Sequence, residues 1–201
     1  MSPRKYDMTR RASSVAQTRR RIVDATLELH GEQGIAATSW DDIAARAGVG
    51  VGTVYRHFPS LDTLIPACGE ITRQVLALPN PQSLASVFDG LDAPNQRFEL
   101  LVREAFAIYE RGAPQLRAIR NEPDVHPNVA EAGEAVEASL AALIDAAVEP
   151  FAITAADRAV VRAMIDLNTW EALRDQEVGQ AEAATAIAEM LTARLGGPGG
   201  A

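Results

Sequence analysis

The sequence predicts an all-α protein: an N-terminal three-helix module, two of whose helices are short and joined by a tight glycine turn, followed by a larger C-terminal helical domain. Three observations predict it. Apolar residues recur at i, i+3, i+4 and i+7 in one window after another, and no stretch shows the alternation of a strand. Glycines and prolines at Gly34, Gly48, Pro59, Gly112 and Pro150 stop these patterns at helix-like intervals. Hydrophobic residues make up 47% of the 201 residues, enough apolar surface to offset the entropy of ordering a chain, which excludes the disordered class.

Taken in order, residues 1–16 carry Arg4, Lys5, Arg10 and Arg11 without apolar periodicity and are expected to form a flexible basic arm. A first helix is expected over 17–33, with Ile22, Ala25 and Leu29 on one face and Gly34 at its end. Ser39 followed by Asp42 predicts the start of a second helix, the hydroxyl satisfying an orphan amide and the carboxylate complementing the helix dipole. Ile43, Ala44 and Ala47 form its apolar stripe and Gly48 its end. A third helix follows after a short turn, from about Gly50 to His57, with Val54 and Phe58 available to the core. Two short helices around a glycine turn form a helix-turn-helix.

After Pro59, a fourth helix carries Leu61, Leu64, Ile65 and Val75, and Pro66 inside it is expected to bend or break it. A Pro- and Asn-containing break at 78–82 precedes a helix with Phe98, Leu101, Val102, Ala105 and Tyr109 on one face, ending near Gly112. Residues 121–128 read as a loop because of Pro123 and Pro127. Helices are then expected over 128–148, from Thr154 to about Gln176, and over 180–195. The expected organisation is an arm (1–16), a helix-turn-helix domain (17–60), a helical domain (61–196) and a disordered tail (197–201).

Charge and chemistry narrow the function. The net charge of −8 is uneven: residues 1–60 hold 9 of the 19 Lys and Arg and 6 of the 27 Asp and Glu, a local +3, which leaves −11 for residues 61–201. A basic front on an acidic bulk suits a protein that turns one face to phosphate. No apolar run is long enough to span a membrane and no secretory signal precedes the first helix, so a cytoplasmic protein without membrane partners is expected. Cys68 is the only cysteine, and His30, His57 and His126 are scattered, so neither a disulfide nor a metal site is expected. An enzyme would have to rely on Cys68, or on His126 with Asp124, and no nucleophile elbow or phosphate loop accompanies them. No catalytic residue, metal or cofactor is therefore expected.

From Arg19 to Leu64 the order and spacing of residues resemble the DNA-binding segment of the tetracycline-repressor (TetR) family. The resemblance is carried by Ile22, Ala25, Leu29 and Gly34, by Ser39-Trp40-Asp41-Asp42-Ile43-Ala44, and by the run from Ala47 through Gly48, Gly50, Thr53, Val54, Tyr55 and His57 to Ser60. It implies a ligand-responsive, sequence-specific transcriptional regulator, expected to be a repressor. Such a protein binds a palindromic double-stranded DNA operator as a homodimer and is released by a small-molecule effector. The third helix is the one expected in the major groove, offering Val51, Gly52, Thr53, Tyr55, Arg56 and His57. Arg56 suits guanine or phosphate, Val51 and Thr53 a thymine methyl, and Tyr55 and His57 are similar to family residues that contact phosphate. Thr38, Ser39 and Trp40 at the start of the second helix are expected to position the module on the backbone.

The sequence departs from the family pattern at Val51, where a basic or polar residue is common, at Leu61 in place of a lysine, at Gly50 in place of a hydroxyl cap, and at His30 in place of a buried aromatic. His30 is expected in or near the core. The remaining helices resemble the family's variable ligand-binding and dimerising domain. There Phe106, Tyr109, Asn168 and Trp170 are candidates to line an effector pocket, aromatic bodies with one amide, or simply to pack as core. Leu140, Leu143, Ile144, Val161, Ile165 and Leu191 are candidates for core or dimer interface alike. A helical sensor or adaptor without DNA binding, and a small all-α enzyme, remain as alternatives.

Overall fold

The computed structural model describes residues 8–80 and 84–195. Among them the chain forms ten α-helices and one 3-10 turn: α1 (Met8–Gln33), α2 (Trp40–Ala47), α3 (Val51–His57), α4 (Leu61–Leu76), α5 (Leu84–Val87), α6 (Pro94–Asn121), the 3-10 turn Pro123–Val125, α7 (Pro127–Val148), α8 (Ala155–Met164), α9 (Leu167–Asp175) and α10 (Gln180–Leu195). No strand occurs among the described residues, as the all-α prediction requires. None of these helices is long and apolar enough to cross a membrane.

The helices divide between two compact units. One comprises the described residues up to Thr72 together with Pro114–Ala132; the other comprises the described residues of Arg73–Ala113 and those from Gly133. The sequence places a boundary at residue 60 instead, because the segment that returns to the first unit at Pro114 is remote in the chain.

In the first unit α1, α2, α3 and the start of α4 enclose a core of Ile22, Val23, Leu29, Ile43, Ala44, Val54, Phe58, Leu64 and Cys68. A smaller cluster joins Ile35 and Ile65 to Ala118 and Val129. In the second unit Leu140, Leu143, Ile144, Val161, Ile165 and Leu191 are each 2% exposed or less within a single chain. All six are therefore core, which the apolar pattern alone left undecided. The same unit buries Arg97, 7% exposed. Its guanidinium donates to the carbonyls of Ala147 at 2.8 Å, Ala146 at 2.5 Å, Leu91 at 3.0 Å and Phe88 at 3.3 Å. It thereby serves two of the carbonyls that the end of α7 leaves without helical partners.

Several expected elements differ. The basic arm is not wholly an arm: α1 begins at Met8, so its second half is helix, while Arg4 and Lys5 lie outside the described residues, as does the expected tail at 197–201. Helix α4 runs through Pro66 without a break. Burial of Leu64, Ile65 and Cys68 around it holds the turn despite the missing amide, since tertiary packing overrides local propensity. The helix expected to end near Gly112 instead kinks there, at φ −152 and ψ 30, and resumes to Asn121 with Pro114 just past the kink. Pro114 lacks the amide that a continuous helix would need at that point. The helix expected from Thr154 to Gln176 is two helices, α8 and α9, because Asp166 takes an extended backbone and its side chain caps α9 through the Asn168 amide at 2.9 Å. Short α5 carries too few residues to show a period.

Candidate nucleic-acid interface

Local chemistry builds the helix-turn-helix. The Ser39 hydroxyl accepts from the Asp42 amide at 3.1 Å, and the Asp42 carboxylate accepts from the Ser39 amide at 3.2 Å and from its hydroxyl at 2.6 Å. This reciprocal box starts α2, and the Ser39 hydrogen bonds hold the Asp42 carboxyl below its usual range. Ser39→Ala is expected to cost about 1 kcal/mol of stability, read as a lower urea midpoint at unchanged slope; an unchanged midpoint would mean that water replaces the cap.

At the other end of α2, Gly48 adopts φ 62 and ψ 42, a left-handed conformation that disfavours side chains. The Val49 amide closes back on the Ala44 carbonyl at 3.0 Å. Arg21 of α1 donates to the carbonyls of Ala47 and Gly48, capping the same end. Arg46 grips α1 from the opposite direction, with bonds of 2.9 and 2.6 Å to the Glu32 carboxylate and 3.2 Å to Glu28. Helix α3 starts at Gly50 without a side-chain cap. Its Val54, and Phe58 just beyond its end, are fully buried, so its opposite face turns outward.

On that outward face Val51 is 37% and Tyr55 46% exposed, while Gly52 and Arg56 are exposed and Thr53 and His57 half-buried. The Tyr55 ring lies 5.0 Å from that of Trp40, which braces it from α2. The Arg56 guanidinium approaches the Thr53 hydroxyl at 3.5 Å. Ser39 is exposed and Trp40 half-buried, whereas the Thr38 hydroxyl is engaged by the Gly34 carbonyl at 2.7 Å. The sequence-predicted DNA residues thus fall on α3 and on the start of α2, within one unit.

In the run Arg19-Arg20-Arg21 of α1, Arg19 and Arg20 also have partners of their own. Arg19 donates to the His57 carbonyl at 3.2 Å and lies over the Phe58 ring at 4.1 Å. Arg20 pairs with Asp24 at 2.8 Å. Because α1 begins at Met8, these cations sit well inside the helix and do not oppose its N-terminal dipole. Sequence reading missed the structural roles of Arg19, Arg21 and Arg46, whose partners lie far along the chain.

The candidate effector residues divide. Phe106 and Trp170 line a pocket of about 60 Å³ with Glu110, Arg174 and Gln180. Tyr109 packs between them, ring centroids 6.3 Å from Phe106 and 6.1 Å from Trp170, but is 2% exposed and donates its hydroxyl to the Ile165 carbonyl at 2.8 Å. Asn168 is exposed and does not line that pocket. Of the groups the sequence offers an enzyme, Cys68 is buried, which raises its thiol to about 12, and His126 Nε2 faces Asp62 at 3.2 Å.

The fold and this surface define an all-α helix-turn-helix protein. Residues 22–68 match the sequence model described as bacterial regulatory proteins, tetR family, so this segment carries the TetR-type helix-turn-helix pattern. The chain is 32% identical over 119 residues to the transcriptional repressor KstR of Mycolicibacterium smegmatis, an alignment that covers 59% of this chain and 55% of KstR. It is 47% identical over 47 residues to the transcriptional regulator SrpR of Pseudomonas putida, covering 23% of this chain and 22% of SrpR. The alignments therefore span about half of KstR and a smaller part of SrpR. Among solved structures it is similar to NalD of Pseudomonas aeruginosa, the secondary repressor of a multidrug efflux pump, at a TM-score of 0.62 and 22% identity over 91% of this chain and 98% of NalD. It is also similar to the regulator FadR of Bacillus subtilis, solved with stearoyl-CoA, at a TM-score of 0.57 and 16% identity over 86% of this chain and 96% of that one. These two likenesses concern the fold.

Proposed function

We propose that the chain is a ligand-responsive, sequence-specific transcriptional repressor that binds a palindromic operator as a homodimer in the cytoplasm and leaves it when a small molecule binds. The observation that carries this reading is α3 itself: Val54 and Phe58 anchor it, and Val51, Gly52, Tyr55 and Arg56 are exposed on the surface it presents. Arg56 reads guanine or holds phosphate, Val51 and Thr53 meet thymine methyls, and Tyr55 and His57 contact the backbone. Ser39 and Trp40 set the register, with Thr38 supporting the turn before them. The exposed Val160 of α8 and Met190 of α10 are suited to a dimer contact. Repressor names among the relatives support the direction of regulation.

The test is selection of bound sequences from random duplex DNA, followed by anisotropy titration of the winner at two salt concentrations. A two-fold symmetric site is expected, with affinity falling as salt rises. Arg56→Ala is expected to weaken binding by roughly 10- to 100-fold. Recovery of no preferred sequence by folded, ligand-free protein would replace this reading with a sensor or adaptor that does not bind DNA.

A further inference from the structure

A second cavity lies wholly inside the first unit and none of the predicted effector residues reaches it. Its volume is about 40 Å³, and its walls include His30 of α1, Cys68 and Thr72 of α4, Gln115 and Ala118 beyond the α6 kink, and Ala132 of α7. It is predominantly apolar. The His30 side chain is 7% exposed and lines the cavity, and no hydrogen bond to its ring is found among the described residues. An imidazole that faces a cavity without a protein partner offers its occupant a hydrogen bond.

No charged side chain lines this space. Burial lowers His30 to about 4 and raises Cys68 to about 12, so both are neutral near pH 7. A charged occupant would lose hydration with no opposite charge in the walls to offset it, whereas a neutral one needs only a hydrogen bond, which the imidazole can exchange.

The same two walls are tied together beside the cavity. The Glu122 carboxylate, just past α6, accepts from the Ile35 amide at 3.0 Å and the Ala36 amide at 2.6 Å, gripping the turn between α1 and α2. The approach depends on two glycines. A Cβ on Gly31 would lie 2.7 Å from the Pro114 Cβ, and one on Gly34, at φ 93, would lie 2.3 Å from a Glu122 oxygen. The α6 segment after the kink is thus pressed against the end of α1, and the cavity lies where the two meet α4.

We propose that this cavity is an effector site for a small neutral molecule, largely apolar with one hydrogen-bonding group, and that its occupation reaches the helix-turn-helix through the Glu122 clamp. This rests on the regulator reading above. A cavity that accepts benzene measures on the order of 150 Å³, so a phenol-sized molecule enters a space of about 40 Å³ only by parting its walls. Parting α1 from the segment 114–121 strains the clamp, which holds amides three and four residues ahead of Ser39, the cap of α2. The occupied conformer then holds α2 and α3 differently, and DNA affinity falls by the ratio of the ligand's affinities for the two conformers.

The test uses the full chain with ¹³C-labelled histidine, titrated with phenol and 1-butanol and, as charged counterparts, benzoate and butyrate. The His30 ring resonance, assigned by its loss in His30→Gln, reports binding; anisotropy on the selected operator reports function. A saturable His30 shift is expected with a neutral probe and not with a carboxylate, together with a loss of operator affinity of at least about 5-fold. Ala118→Leu, or Ala132→Leu if the first does not fold, is expected to fill the cavity and abolish both responses while operator binding persists. Glu122→Gln is expected to keep the His30 shift and lose most of the effect on DNA. No saturable shift in protein that binds its operator overturns the site and leaves the regulator reading intact, as does a shift that persists in the filled variant. A shift without change in operator affinity overturns the transmission. Absence of operator binding in the unliganded chain overturns the regulator reading itself, and the His30 spectra distinguish that result because they are recorded without DNA.

Discussion

Arg97→Ala is expected to destabilise the protein by about 2–4 kcal/mol, since it removes charge-assisted hydrogen bonds worth roughly 1.5–3 kcal/mol and leaves buried carbonyls without their donor. The loss leaves the carbonyls of Ala146, Ala147, Phe88 and Leu91 without the donor that serves all four. It also removes the planar cation that lies 5.1 Å from the Phe88 ring centroid. Arg97→Lys is expected to recover only part of this, because an ammonium on a flexible stem cannot reproduce a five-donor fork directed at carbonyls on two segments. Urea unfolding at pH 7 is the measurement. A loss below about 1 kcal/mol in the alanine variant would mean that water enters and satisfies the carbonyls, and the arginine would then not be holding the end of α7.

The second large effect depends on pH. Burial lowers His30 from 6.5 to about 4, and the opposing pull of the Glu122 charge is the smaller influence. Between these two values the unfolded chain binds a proton that the folded chain refuses, so stability must rise with pH through that window. The contribution is fully present above pH 6.5 and is lost as pH falls toward about 4. Its full size is about 3 kcal/mol, at about 1.4 kcal/mol for each pH unit between the two values. Unfolding free energies of the wild type and of His30→Gln, measured from pH 4 to pH 7, are expected to differ by a curve with this slope and sign. Parallel curves would show that His30 is protonated as readily in the folded protein as in the unfolded one.

Much of the candidate DNA-binding surface is legible in the sequence. The Ser39–Asp42 box, the Gly48 turn and the burial of Val54 and Phe58 are read correctly because each is decided within a few residues of chain. What α3 presents outward follows from the same period, since burying Val54 turns Val51, Tyr55 and Arg56 away. His30 is also placed correctly near the core, but nothing in its neighbours along the chain reveals that its ring faces a cavity.

The errors share a cause. An arm is expected over 1–16 because basic residues without an apolar stripe carry no helix signal, yet α1 extends back to Met8. Gly112 signals an end, and the chain uses it as a kink because Pro114 and the segment after it pack against Gly31 of α1. Leu143 and Val161 look the same on a helical wheel whether they meet their own chain or a second copy.

The sequence by itself determined the all-α class, the order of most helices and the helix-turn-helix, because helix periods and caps are set by hydrogen bonds and side-chain spacing that span four residues or fewer. Only the tertiary structure decided the division into units, the buried Arg97, the clamp of Glu122 on Ile35 and Ala36, and the cavity beside His30. Each of these joins groups tens of residues apart, and whether a buried charge is satisfied or a void remains depends on which distant surfaces meet.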